Sequence, residues 1–80
     1  MPRLRSLTGG EVIKLLHQLG FETRRITGSH HQLKIQTDER TCNTTVPVHG
    51  KTPLASGTLK SILAQISPCV EAGDLSRFYA

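Results

Sequence analysis

Hydrophobic positions follow a helical period over residues 12–19, alternate with polar ones over 32–36, and return to a helical period over 59–66. In the first stretch Val12, Ile13, Leu15, Leu16 and Leu19 recur at the three- and four-residue spacing of one helix face. Thr8 precedes it as N-cap and Glu11 stands three residues on, the pattern of a capping box. Gly20 ends it, because glycine accepts the left-handed conformation that closes a helix. Phe21–Thr27 predicts a first strand, without clean alternation. Gly28-Ser29 makes a turn, and residues 30–36 read as a second strand. Asp38-Glu39-Arg40 forms a charged turn. Thr41–Val48 is rich in β-formers and reads as a third strand, with Pro47 marking an edge or a strand end because it lacks a backbone donor. After a loop at His49–Pro53, Ser56 is expected to cap a second helix in which Leu59, Ile62, Leu63 and Ile66 share a face. Ser67-Pro68 stops that helix. Residues 69–79 are expected to form a short third helix carrying Val70, Leu75 and Phe78 to the core, and residues 1–7 a frayed basic lead with Leu4 and Leu7 able to dock.

The element order is therefore α-β-β-β-α, an α+β fold. Two amphipathic helices cover one face of a three-stranded antiparallel sheet, and the other face stays open. Eighty residues, 36% of them apolar, make one domain over 1–80 with one modest core.

Charge changes the picture next. Ten Lys and Arg against six Asp and Glu give a net charge of +4. That surplus suits a polyanionic partner, RNA, DNA or an acidic protein, although a basic protein can also exist without one. Phe21, Phe78 and Tyr79 are the whole aromatic complement, which disfavours a module that stacks bases on aromatic platforms. Cys42 and Cys69 sit in no CxxC pattern and are expected as buried free thiols. No apolar run reaches transmembrane length and no signal-peptide core opens the chain, so a cytoplasmic location without membrane contact is expected.

Candidate chemistry centres on Gly28-Ser29-His30-His31. Histidine exchanges protons near neutral pH. If the second strand starts at His30, period-two alternation places His31 with Leu33 and Ile35 toward the helices. His30, Gln32, Lys34 and Gln36 then face outward. A histidine beside cations on an open face suits RNA cleavage. It takes the proton of a ribose 2′-hydroxyl while Arg24, Arg25, Lys34 and Lys51 steady phosphate charge and Ser29 offers a hydroxyl. The plainer reading is two solvated rings at a turn. His49 and His17 read as loop and helix-surface residues. Adjacent strand histidines point to opposite faces and make poor joint ligands, so no metal site and no cofactor are expected. Nor does Cys42 stand near a base that would make it a catalytic thiol.

The ordered set Glu11–Leu16, Leu19-Gly20-Phe21, Gly28–His31, Thr45–His49 and Gly57–Leu63 resembles the HicA toxins of type II toxin–antitoxin systems, over about residues 8–67. The resemblance implies a fold similar to a double-stranded-RNA-binding domain. It also implies ribosome-independent mRNA cleavage with one essential histidine, and a HicB-type antitoxin that covers the active site. The family's histidine follows Gly-Ser and falls on His30, with His31 in reserve. Two departures stand out: Arg40–Thr44 is polar where more apolar strand is common, and the tail after Pro68 is longer. The rival expectations are a non-catalytic RNA-binding module of the same fold and a basic protein-interaction domain. The chain is expected as a monomer or in a toxin–antitoxin hetero-oligomer.

Overall fold

The computed structural model describes residues 3–80. Its elements are α1 (Gly9–Gln18), β1 (Glu22–Thr27), β2 (His30–Gln36), β3 (Thr41–Pro47), α2 (Ser56–Ile66) and α3 (Ala72–Leu75), with single 3₁₀ turns at Ser67–Cys69 and Ser76–Phe78. The strands form one antiparallel meander in the order β1-β2-β3. This is the α-β-β-β-α order expected from the patterning.

α1 starts as the sequence predicts. The Thr8 hydroxyl accepts from the Glu11 amide at 3.2 Å, and the Glu11 carboxylate accepts from the Thr8 amide at 2.9 Å. Two otherwise orphaned backbone donors are thereby satisfied. The second bond, from the Thr8 amide to the carboxylate, is the main influence that holds the Glu11 carboxyl below its usual pKa, because it stabilises the charged form. α2 differs from expectation. The Leu59 amide bonds to the Ala55 carbonyl, so Ala55 is the N-cap, no side chain caps the helix, and Ser56 is already its first residue.

β1 and β2 pair as far as Thr27 and His30, leaving a two-residue loop. Gly28 has φ +58° and Ser29 has a negative φ, which makes the loop a type II′ turn. That hand suits the right-handed twist of the flanking strands, and glycine takes its first central position without strain. β2 therefore begins at His30, the condition on which the alternation argument rested.

Both long helices lie on the face that carries Leu33, Ile35, Cys42, Thr44 and Val46. Val12, Leu16, Phe21, Leu33, Val46, Leu59, Ile62, Ile66 and Phe78 form its buried core. α1 crosses this face diagonally. Gly9 rests on Pro47 and Val48 at one end, and His17 Nε2 lies 2.8 Å from Thr23 Oγ1 at the other. The far end of β1 is left uncovered, and Ile26 there is 58% exposed.

Arg40–Thr44, where a more apolar strand was expected, is strand from Thr41 onward. Cys42 and Thr44 point inward, while Thr41, Asn43 and Thr45 point out. The Thr44 hydroxyl, buried, donates to Gln65 Oε1 on α2 at 2.6 Å. Its desolvation is offset without an apolar residue.

Two expectations are corrected. Cys42 and Cys69 are not free thiols but a disulfide. α2 runs antiparallel to β3 above it, so the turn after α2 returns Cys69 over Cys42, with 6.2 Å between the Cα atoms. The expectation rested on compartment chemistry and had no register for β3. Residues 3–7 are not frayed: Leu7 is buried, and Leu4 bridges to Tyr79. The Arg5 amide donates to the Phe78 carbonyl at 2.9 Å and the Ala80 amide to the Arg3 carbonyl at 2.7 Å. The frayed lead also included Met1 and Pro2, which lie outside the described residues. The C-terminal segment is thus a four-residue helix and two 3₁₀ turns, shorter in helix than expected. It delivers Phe78 fully buried, with Val70 and Leu75 packed on the core.

Candidate functional site

The open face is ordered by register. Thr27, His30 and Pro47 form one cross-strand row, Arg25, Gln32 and Thr45 the next, and Glu22, Lys34 and Asn43 a third. His30 is exposed at the head of the face. His31 pairs with Ile26 and Val46 on the helix side, half-buried at the corner that α1 leaves uncovered.

β1 carries a bulge between Thr23 and Arg25, with Arg24 the unpaired residue. Strict alternation would send one of two adjacent arginines toward the helices. With the bulge, Arg25 stays in register opposite Gln32, and Arg24 lines the same face as Lys34 and Gln36. Arg24 is steadied by Glu22 at 3.3 Å, an exposed ion pair of little energetic weight. The bulge was readable in principle: Phe21 and Thr23 point inward and so does Ile26, so the inward positions change from odd to even numbers.

Distances within the face sort its cations. Arg25 is the diagonal neighbour of His30 across the β1–β2 pair, about 7–8 Å away and within reach of a long side chain. Lys34 lies four residues along the same strand, about 13 Å from His30. A group held at His30 is therefore within reach of Arg25 and out of reach of Lys34. The Ser29 carbonyl accepts from the Val48 amide at 2.7 Å, which ties the start of the His49–Pro53 loop to the histidine turn. Lys51 is exposed on that loop, just after Gly50 at φ +57°.

His30 and His31 occupy opposite faces, and no group of three His, Cys, Asp or Glu with metal-binding geometry gathers among the described residues. Cys42, in its disulfide, offers no thiol. His17 is exposed on α1 and His49 in its loop, as expected.

A family model described as the HicA toxin of bacterial toxin–antitoxin matches residues 9–67. The chain belongs to the HicA toxin family. Membership gives it the role of a toxin with an antitoxin partner. The match takes in the whole sheet, α1 and α2, and ends just before Pro68. Both the disulfide's second cysteine and the segment carrying Phe78 therefore lie beyond the HicA unit and are joined to it. No curated protein and no solved structure matches the chain. Among the described residues no helix is long and apolar enough to cross a membrane.

Sequence reasoning turned Gln32 outward but missed Asn43 and Thr45, which complete an uncharged polar strip on this face. Gln32, Asn43 and Thr45 stand between the cations, and with Arg24, Lys34 and Gln65 they line a shallow depression of about 420 Å³. Outward alternation on β3 was the available signal, once its strand start at Thr41 was known.

Proposed function

We propose that this chain is an endoribonuclease toxin that cleaves mRNA by histidine acid–base catalysis, without requiring a metal. The observation that carries the reading is His30: exposed, first in β2 after the Gly28-Ser29 turn, and diagonal to Arg25. In the mechanism, His30 removes the proton from a ribose 2′-hydroxyl. The 2′-oxygen bonds to the adjacent phosphorus, and the bond from phosphorus to the 5′-oxygen breaks. A proton is returned to the leaving 5′-oxygen, giving a 2′,3′-cyclic phosphate and a 5′-hydroxyl end. His30 serves as the base of this sequence or as the acid for the leaving oxygen.

Arg25 balances the charge that gathers on the phosphoryl oxygens, where a fixed cation acts most strongly. Arg24, Lys34 and Lys51 hold neighbouring phosphates, and the Ser29 hydroxyl donates to one of them. His31, the reserve choice, is disfavoured by its place on the helix side beside Ile26. The reading places the toxin in the cytoplasm, where its RNA is found. A HicB-type antitoxin with an acidic surface would silence it by covering the open face.

The test is His30→Ala. The exposed ring contributes nothing to the core, so the variant should fold and bind the antitoxin like the parent. Cleavage of RNA in vitro and growth arrest on induction should both be abolished. Unchanged cleavage by His30→Ala would overturn the assignment.

A further inference from the structure

Beyond His30 the open face holds a second feature, and the inference drawn from it rests on the nuclease reading above. The depression of about 420 Å³ extends from Arg24 on β1 across Gln32 and Lys34 to Asn43 and Thr45, and rounds the β3 edge to Thr44 and Gln65 on the helix side. Its volume is at the lower end of small-ligand sites. Its lining is mostly uncharged and polar, unlike a plain phosphate track.

Three observations point to a base rather than a phosphate. First, Lys34 pairs across the strands with Asn43, and Gln32 with Thr45, so two amides and a hydroxyl are gathered over two rows. Among the described residues the side chains of Gln32, Asn43 and Thr45 make no hydrogen bond within the chain. An amide presents a donor and an acceptor side by side, the pattern that matches the edge of a nucleobase. Second, the Glu22 carboxylate holds the Arg24 guanidinium at 3.3 Å at the margin of the depression. A guanidinium plane can take the stacking role that aromatic side chains fill elsewhere, and this chain has none on the open face. Third, the rows concerned lie about 7–13 Å from His30 along β2. A single strand covers that distance in about one to two nucleotides.

We propose that the depression is a subsite for one unpaired nucleobase, about one to two nucleotides from the scissile phosphate. Asn43 and Gln32 read its hydrogen-bonding edge, the plane of Arg24 stacks on its face while the guanidinium's edge N–H groups keep a neighbouring phosphate, and Lys34 meets the adjoining one. A paired base cannot present itself in this way, so the substrate class is single-stranded RNA or an unpaired loop.

Two measurements on the intact protein test this. Purified wild type and Asn43→Thr, which keeps a β-former on the strand, are incubated with a randomised single-stranded RNA pool, and the cleaved ends are sequenced. Short homopolymers of the four bases are separately titrated with both proteins. The wild type should prefer one base at one position near the cut by roughly 5- to 100-fold. Asn43→Thr should flatten that preference and still cut. The titrations should show a matching preference, also lost in the variant.

Cleavage without base bias near the cut, or an unchanged bias in Asn43→Thr, would overturn the subsite and leave the nuclease reading standing. Base preference in binding that depends on Asn43, with no cleavage, would uphold the subsite and overturn the nuclease. A wild type that neither binds nor cuts RNA would overturn both, and would leave the face to an acidic protein surface.

Discussion

The backbone of Gly9 rests directly on the carbonyl oxygen of Pro47, the β3 residue that pairs with His30 across the sheet. A Cβ at Gly9 would overlap that oxygen, and both partners are backbone, so neither can swing aside. Gly9→Ala should therefore destabilise the protein by about 2 kcal/mol, as overpacking does, although alanine is the better helix former. Gly10→Ala, one residue on, meets only the Thr8 hydroxyl at ordinary contact distance. It should be neutral or stabilising by up to about 1 kcal/mol. Thermal unfolding of the two variants checks the pair, and equal shifts would contradict the close approach.

Arg25 and Lys34 should separate kinetically. Arg25→Ala should lower the single-turnover cleavage rate by about 10²-fold, the scale expected for a lost donor to developing charge. Lys34→Ala should act mainly on RNA affinity and reduce the salt dependence of binding by about one phosphate contact. Rate constants against RNA concentration at several salt concentrations would show the split. A larger rate defect in Lys34→Ala would contradict the diagonal pairing of Arg25 with His30.

The Cys42–Cys69 bridge closes a span of 27 residues. Loop-closure entropy alone gives such a link about 3–4 kcal/mol of stability. Urea unfolding with and without reductant should show that loss, and Cys42→Ser/Cys69→Ser should match the reduced parent. A protein equally stable in both states would show that the bridge constrains little in the unfolded chain. The same loss would apply in a reducing cytosol, where disulfides are rare.

Acid should weaken the α1 cap. The bond that the Thr8 amide donates to the carboxylate is the main cause that holds the Glu11 pKa down. The resulting stability is fully present above the carboxyl's unfolded pKa and disappears as pH falls through the lower folded one. The stability gap between the parent and Glu11→Gln should thus narrow on acidification. A gap that stays constant into strong acid would exclude the charged carboxylate as its source.

Much of this architecture was legible because period and punctuation agreed. Thr8 with Glu11, the alternation of residues 32–36, and glycines at 20 and 28 fixed α1, β2 and the turn between β1 and β2. The parity that turned His30 outward followed from the same alternation. What was not legible depended on partners distant in sequence. Cys42 and Cys69 meet only because α2 runs back along β3, and the pairing of residues 3–5 with 78–80 has no local signal. Ser56 failed as a cap because helix starts are set by which carbonyl accepts first, and here that is Ala55. The depression beside Asn43 required three strands in register before its lining could be read.

The closing contact between residues 3–5 and 78–80 orders events during synthesis. A ribosome releases the chain from its N-terminus onward. Leu4 and Arg5 therefore wait without their partners until Phe78, Tyr79 and Ala80 have emerged, and until then the core lacks the Phe78 ring. A nascent toxin held short of that point can form the sheet that carries His30 but cannot seal the layer behind it. Full rigidity of the open face would then arrive only once residues 78–80 have left the ribosome.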